Sequence, residues 1–282
     1  MTNAEQIEYW NGDAGKRWAQ EDDTMAHLLR PISEALIAYA KLDDCRSALD
    51  IGCGGGSQSV MLADELGDGA RVTGVDISQP MLAVARDKAA APGHGRADME
   101  FLQADAATFE FAPGEFDLIF SRFGVMFFDD PVSAFANMRK ALQPGGRLAF
   151  CCWQPVKAND WTRIPLQAAL QHVPAIAPAD PDAPGPFAFS DPQRVRDILQ
   201  GSGFTNIGVE PYSTALHFGK TSTLQQSVRE LAMIGPVSRL LVGQEQDVLE
   251  NVFAAMEDVL SPHYRDGILS LSGAVWFVTA TS

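Results

Sequence analysis

Residues Leu49-Asp50-Ile51 run directly into Gly52-Cys53-Gly54-Gly55-Gly56, and a helical pattern opens at Ser57. A short apolar strand that ends in clustered glycines and turns into a helix restricts the fold to few choices. Glycines at such a turn supply backbone with φ > 0 and let a ligand approach the chain closely. In open α/β sheets the crevice outside the strand carboxyl ends is where ligands bind.

The rhythm around this turn repeats. Arg71–Asp76, Met99–Gln103, Phe116–Phe120 and Arg147–Trp153 read as further strands, with helices expected at Ser57–Leu66, from Ser78 onward and at Pro131–Leu142. Ser78 suits an N-cap with Pro80 in the first turn, and Pro144-Gly145-Gly146 reads as a turn before the fifth strand. Strands alternating with helices imply a parallel sheet covered on both faces. Before this core, Ile32, Leu36 and Tyr39 share one helical face, and Pro31 suits a first helical turn. After Trp153 the alternation breaks. Six prolines between residues 174 and 192 (Pro174, Pro178, Pro181, Pro184, Pro186 and Pro192) indicate a long loop or lid, and Asp191-Pro192 starts a short helix that Gly201 ends. Phe204–Tyr212 reads as a sixth strand, residues 221–262 as helices, and Gly273–Ala280 as a seventh strand closing the chain.

The second strand ends at Asp76, 22 residues after Gly54. A carboxylate there can accept both hydroxyls of a ribose; the alternative is an acid that caps the following helix. Two cofactor classes share this layout. The nicotinamide fingerprint needs a third glycine where Ser57 stands. Asp50, just before the first glycine, would repel a pyrophosphate held at the helix N-terminus and would suit an ammonium and a sulfonium instead. Charge thus favours S-adenosylmethionine over a nicotinamide cofactor.

The chain carries 21 Lys+Arg against 36 Asp+Glu, a formal net charge of −15. Neutralising phosphates takes a basic face, so nucleic acid and anionic membranes are poor partners. No apolar run approaches the 18 or so residues a membrane helix needs, and the start MTNAEQIEYW lacks the basic and apolar regions of a signal peptide. Cys45, Cys53, Cys151 and Cys152 form no C-x-x-C pair, which disfavours a zinc site. A reducing cytoplasm is the expected location.

These residues resemble the class I S-adenosylmethionine-dependent methyltransferases. Asp50–Gly56 looks like their first motif, Val75-Asp76-Ile77-Ser78 like the acid-ended second strand, and Ala104-Asp105-Ala106 like the segment that meets the adenine amino group. Residues 116–122 look like the fourth strand, where the methyl group is delivered, and Leu142–Gly146 like the turn before the fifth. Tyr9-Trp10-Asn11-Gly12 and Lys16-Arg17-Trp18-Ala19 look like the opening of a small-molecule branch near the ubiquinone/menaquinone-type enzymes.

The resemblance implies a Rossmann-like seven-stranded sheet of order 3-2-1-4-5-7-6, the last strand antiparallel, with helices on both faces and a helical cap. It implies an N-terminal lid over residues 1–44, a cofactor core over 45–153, cap segments over 154–200 and 213–270, the sixth strand at 201–212 and the seventh at 271–282. It also implies roles for single residues. Asp50 would hold the methionine amino group, Gly52 and Gly54 would pass close to the cofactor, and Asp76 would take the ribose. Ile77 and Met81 would flank the adenine, and Asp105 and Ala106 would pair with its edge. Ser121 and Arg122 would border the methionine part; Trp10 and Trp18, eight residues apart, would either offer an aromatic face to the sulfonium or serve as a hydrophobic anchor for the N-terminal helix. Of the five histidines, His27 in the lid is the candidate general base, although an acceptor that is already anionic needs none. The expected reaction is methyl transfer to an O, N, C or S atom of a small molecule, leaving S-adenosylhomocysteine. A nicotinamide oxidoreductase and a non-catalytic S-adenosylmethionine binder are the alternatives. A homodimer is compatible with the sequence.

Overall fold

The computed structural model describes residues 3–93, 97–175, 180, 183–219 and 223–282. His94, Pro178 and Pro181 fall outside these. The chain divides into two compact units. One holds Met1–Trp153, Asp182–Pro211 and Trp276–Ser282; the other holds Gln154–Pro181 and Tyr212–Val275.

The first unit begins with three helices, α1 (Asn3–Asn11), α2 (Asp13–Gln20) and α3 (Asp22–Ala40). Then come β1 (Ser47–Ile51), α4 (Ser57–Leu66), β2 (Arg71–Asp76), α5 (Gln79–Ala90), β3 (Asp98–Gln103), β4 (Phe116–Arg122), α6 (Pro131–Arg139) and β5 (Leu142–Trp153). β1 pairs in parallel with β2 and β4, β2 with β3, and β4 with β5. The local signals act as expected. Ser78 caps α5 by accepting from the Met81 amide, and Gly67 stops α4 with φ +76°.

Three local expectations need correction. Pro31 lies inside α3 rather than in a first turn. Its missing N–H is tolerated because Leu28, Leu29, Ile32, Leu36 and Ile37 bury one continuous face on both sides of it, and such burial outweighs the few kcal/mol an interior proline costs. Helix α6 stops at Arg139 instead of Leu142, because Leu142 already pairs with Phe116 of β4. The Pro144-Gly145-Gly146 turn is therefore a bulge inside β5: Leu142 faces Phe116 while Arg147 faces Leu118.

The second unit contains α7 (Asp160–Ala169), which sequence patterning did not indicate. Pro165 interrupts its pattern, and the fully buried Asn159 supplies the missing signal from a distance. Its carboxamide oxygen accepts from the Ala274 amide at 2.7 Å and from the Trp161 indole at 3.1 Å. Helix α8 (Pro192–Gly201) belongs to the first unit and is capped by Asp191 as expected. The strand after it, β6 (Thr205–Phe218), runs six residues past the expected end at Tyr212. Then come α9 (Leu224–Ala232), α10 (Gly235–Leu241) and α11 (Gln246–Leu260), a two-residue β7 (Tyr264–Arg265) and β8 (Ile268–Thr281).

The sheet order is β3-β2-β1-β4-β5-β8-β6, with β7 paired antiparallel to β8. Apart from the extra strand β7, this is the expected order, and the end strands are antiparallel. Among the described residues no helix is long and apolar enough to cross a membrane.

Candidate cofactor site

The carboxyl ends of β1, β2 and β4 converge on one crevice in the first unit. The Gly52 and Cys53 amides donate to the Val75 carbonyl at 2.8 and 3.2 Å, which locks the glycine turn to the neighbouring strand. Gly52 has φ +66°, and a Cβ there would come within 2.7 Å of the Gly124 Cα after β4. Backbone thus meets backbone across the crevice, and only glycine leaves that space.

Asp76 closes the end of β2. One carboxylate oxygen accepts from the Gly54 amide and the other from the Ser78 amide, each at 2.8 Å. Burial still raises its pKa, because desolvation outweighs these bonds. Each oxygen keeps acceptor capacity beyond its amide, so the side chain can serve the turn and a diol together.

Asp50 is 1% exposed, and Ser59 of α4 donates to it at 2.6 Å. Desolvation pushes its pKa to about 7, opposed by Ser59 and by the Arg122 charge and reinforced by Asp76. Arg122 ends β4 and donates to the Ser33 hydroxyl at 2.8 Å. Desolvation lowers its pKa, and it forms no ion pair among the described residues. Ser121 donates to the Ile51 carbonyl at 2.7 Å and accepts from the Gly124 amide at 3.2 Å, tying the end of β4 to the glycine turn. Phe123, which follows, has φ +66°, a strained conformation for a bulky residue. Its ring stacks on Trp153 at 4.4 Å, so the ends of β4 and β5 carry an aromatic platform.

The N-terminal helices are fastened to this crevice by polar contacts. Ser78 donates to the Trp10 carbonyl at 2.7 Å, and Asn11 donates to the Ile77 carbonyl at 2.9 Å. Asn3 donates to Asp105 at 2.8 Å, and the Asp105 carboxylate also accepts from the Ala107 amide. Lys88 pairs with Asp22 and donates to Ser57 at 2.7 Å, which seats the start of α3 beside the glycine turn. Trp10 lies 6.1 Å from Trp18 and meets Phe127 edge-on at 5.8 Å.

The structure therefore gathers Trp10, Trp18, Asp50, Gly52, Gly54, Asp76, Ile77, Asp105, Ser121 and Arg122 around one edge of the sheet. Met81 is buried in α5, and its terminal methyl would meet a Cβ on Gly54 at 3.3 Å. Ala106 is buried beside Asp105. His27 is not gathered in: it is exposed on α3. Two residues escaped the sequence reading, Gln6 of α1 and Gln58 in the first turn of α4. Both are buried, and among the described residues Gln6 Nε2 and both amide atoms of Gln58 lack a hydrogen-bond partner. No sequence pattern marks them, since each stands where an apolar residue would be expected. Among the described residues no cluster of side chains could hold a metal.

Residues 49–150 match a family model described as a methyltransferase domain. The malonyl-[acyl-carrier protein] O-methyltransferase of Pseudescherichia vulneris is 31% identical over 225 residues, 74% of this chain and 85% of its own length. The chain belongs to the class I S-adenosylmethionine-dependent methyltransferases. The demethylmenaquinone methyltransferase of Thermus thermophilus is 40% identical over 165 residues, 56% of this chain and 73% of its own. The fold agrees with that of phosphoethanolamine N-methyltransferase 2 of Haemonchus contortus in complex with S-adenosyl-L-methionine: TM-score 0.56, 18% identity, 98% of this chain and 59% of that one. The methyltransferase is thus an enzyme that uses S-adenosylmethionine, yields S-adenosylhomocysteine and acts on small molecules. These similarities favour neither the nicotinamide oxidoreductase nor the non-catalytic binder.

Proposed function

We propose that the crevice at the ends of β1, β2 and β4 holds S-adenosylmethionine for in-line methyl transfer to a small, preferably anionic, acceptor. The observation that carries this is Asp76, a partly buried carboxylate fixed by two amides with acceptor capacity left over. The residues fit the cofactor: Asp76 keeps acceptor capacity for a diol, and the buried acid Asp50 would suit a cationic ligand rather than a pyrophosphate.

When bound, S-adenosylmethionine supplies an electrophilic methyl group on a sulfonium. Asp76 accepts from the ribose hydroxyls. Asp50 would hold the amino group and Arg122 the carboxylate. Ile77 and Met81 flank the adenine, whose edge pairs with Asp105 and the Ala106 amide. Ser121 fixes the end of β4 where the acceptor approaches, and Trp10 and Trp18 cover the sulfonium side. The contribution of these residues is orientation, which can be worth several kcal/mol, and exclusion of water. His27 is the first residue to substitute in a search for a general base, and an anionic acceptor removes the need for one. We keep the division of labour expected from the sequence: residues 1–44 as lid, 45–153 for the cofactor, and 154–200 with 213–270 for acceptor choice. We also infer a reducing, cytoplasmic setting from four free cysteines. A net charge of −15 makes nucleic acid an unfit acceptor, and a homodimer remains part of this reading.

Calorimetric titration with S-adenosylhomocysteine and NADH tests the reading. The protein should bind the sulfur compound and not the dinucleotide. Asp76→Ala should weaken binding by roughly 100-fold, from two charge-assisted hydrogen bonds of about 1.5 kcal/mol each. Unchanged affinity in a folded Asp76→Ala protein would overturn it.

A further inference from the structure

Helix α1 buries one residue, and that residue is Gln6, at 3% exposure. Its Oε1 accepts from the Trp10 indole at 3.1 Å, while its Nε2 has no acceptor among the described residues. Buried donors in folded proteins are nearly always paired, and leaving one unpaired is costly. An apolar helix anchor would avoid that cost, yet the sequence places an amide here. The missing partner is therefore to be sought in a ligand.

The position of Gln6 identifies which ligand. Asn3, Gln6 and Trp10 are spaced three and four residues apart, so they share one face of α1. Asn3 reaches Asp105, which follows β3, and the Trp10 ring meets Phe127, which follows β4. In the sheet the order is β3-β2-β1-β4. The face that carries Gln6 therefore spans the strand ends from β3 to β4, with Asp76 and the glycine turn between its two anchors. The same helix end is fastened at Ile77 and Ser78, directly beyond Asp76. Asp76 and Asp105, the residues that would hold the adenosine, lie along this strip.

We infer that Gln6 donates its free amide hydrogen bond to the adenosine part of the bound cofactor, through a ring nitrogen or a ribose oxygen. The N-terminal helix then recognises the nucleoside as well as covering it. This inference rests on the cofactor reading proposed above.

The test uses the full chain, two probes and two variants. S-adenosylhomocysteine carries adenosine and an amino-acid head; 5′-methylthioadenosine keeps the nucleoside and lacks the head. Gln6→Glu keeps an oxygen for Trp10 and removes the amide donor, and Gln6→Met removes both polar atoms while keeping the shape. Both variants should lose affinity for both probes by the same factor, about 10-fold, the size of one hydrogen bond. Hydrogen exchange of residues 3–20 should slow on adding S-adenosylhomocysteine to the wild type and less so in either variant. Loss of affinity for S-adenosylhomocysteine alone would overturn the adenosine assignment. Unchanged affinities in folded variants, with only a lower melting temperature, would show that Gln6 merely braces α1. A wild type that binds neither probe would instead sink the cofactor reading itself.

Discussion

The carboxyl edge of the first unit and the helices of the second are stabilised in different ways. At the edge, backbone packs on backbone and buried polar groups converge: Gly52 against Gly124, Gly54 on Asp76, Asp50 under Ser59. In the second unit, apolar side chains such as Val252, Met256 and Leu260 fill the core, and α9 carries a capping box at Thr223. The first arrangement tolerates few residue types at each position; the second tolerates any well-shaped apolar set. Motifs are accordingly dense in one region and sparse in the other.

Substitutions can break or sharpen this contrast. The largest effect is expected for Gly52→Ala. The new Cβ meets backbone at 2.7 Å from a residue with φ +66°, so affinity for S-adenosylhomocysteine should fall at least 100-fold, roughly 3 kcal/mol, by calorimetry. Met256→Ala should do the opposite. Removing a fully buried side chain from α11 should cost about 2–5 kcal/mol in chemical denaturation, with the dissociation constant for S-adenosylhomocysteine unchanged within error.

Asp50 gives a pH test. Its carboxyl titrates near 7 in the fold against 3.8 in the unfolded chain, the cause being desolvation. The folded state therefore holds a proton that the unfolded state has lost between those values. Stability should fall as pH rises through this window and level off above about 7, by up to about 1.4 kcal/mol per unit. Asp50→Asn removes the titration, so its advantage over the wild type in ligand-free denaturation should grow from pH 5 to pH 8. A constant gap would rule out a buried, proton-holding Asp50. The smallest effect is expected for Gln58→Met. Replacing a buried amide with two unpaired atoms should raise ligand-free stability by about 1 kcal/mol, and a loss would reveal a partner for that amide.

Much of the site could be read from the order of residues, because its parts are local. A strand, a glycine turn and a helix occupy Ser47–Leu66 without a gap, and Ser78 caps the next helix from its own first turn. The N-terminal helices were harder to read. Trp10 and Trp18 are visible as aromatics, but Gln6 gains meaning only when Asn3 finds Asp105, 102 residues away. His27 was singled out for its place in the lid, and the fold leaves it exposed on α3.

The sequence by itself determined the alternation of strands and helices, the glycine turn and the acid that ends β2, since each depends on neighbours within a few residues. Tertiary structure decided the rest. Pro31 sits within α3 because apolar burial on both sides of it outweighs a lost hydrogen bond. Leu142 leaves the helix because β4 offers it a strand partner. Helix α7 is ordered around Asn159, which bonds to Ala274 across 115 positions of chain. Such contacts join residues far apart in sequence, and no local pattern encodes them.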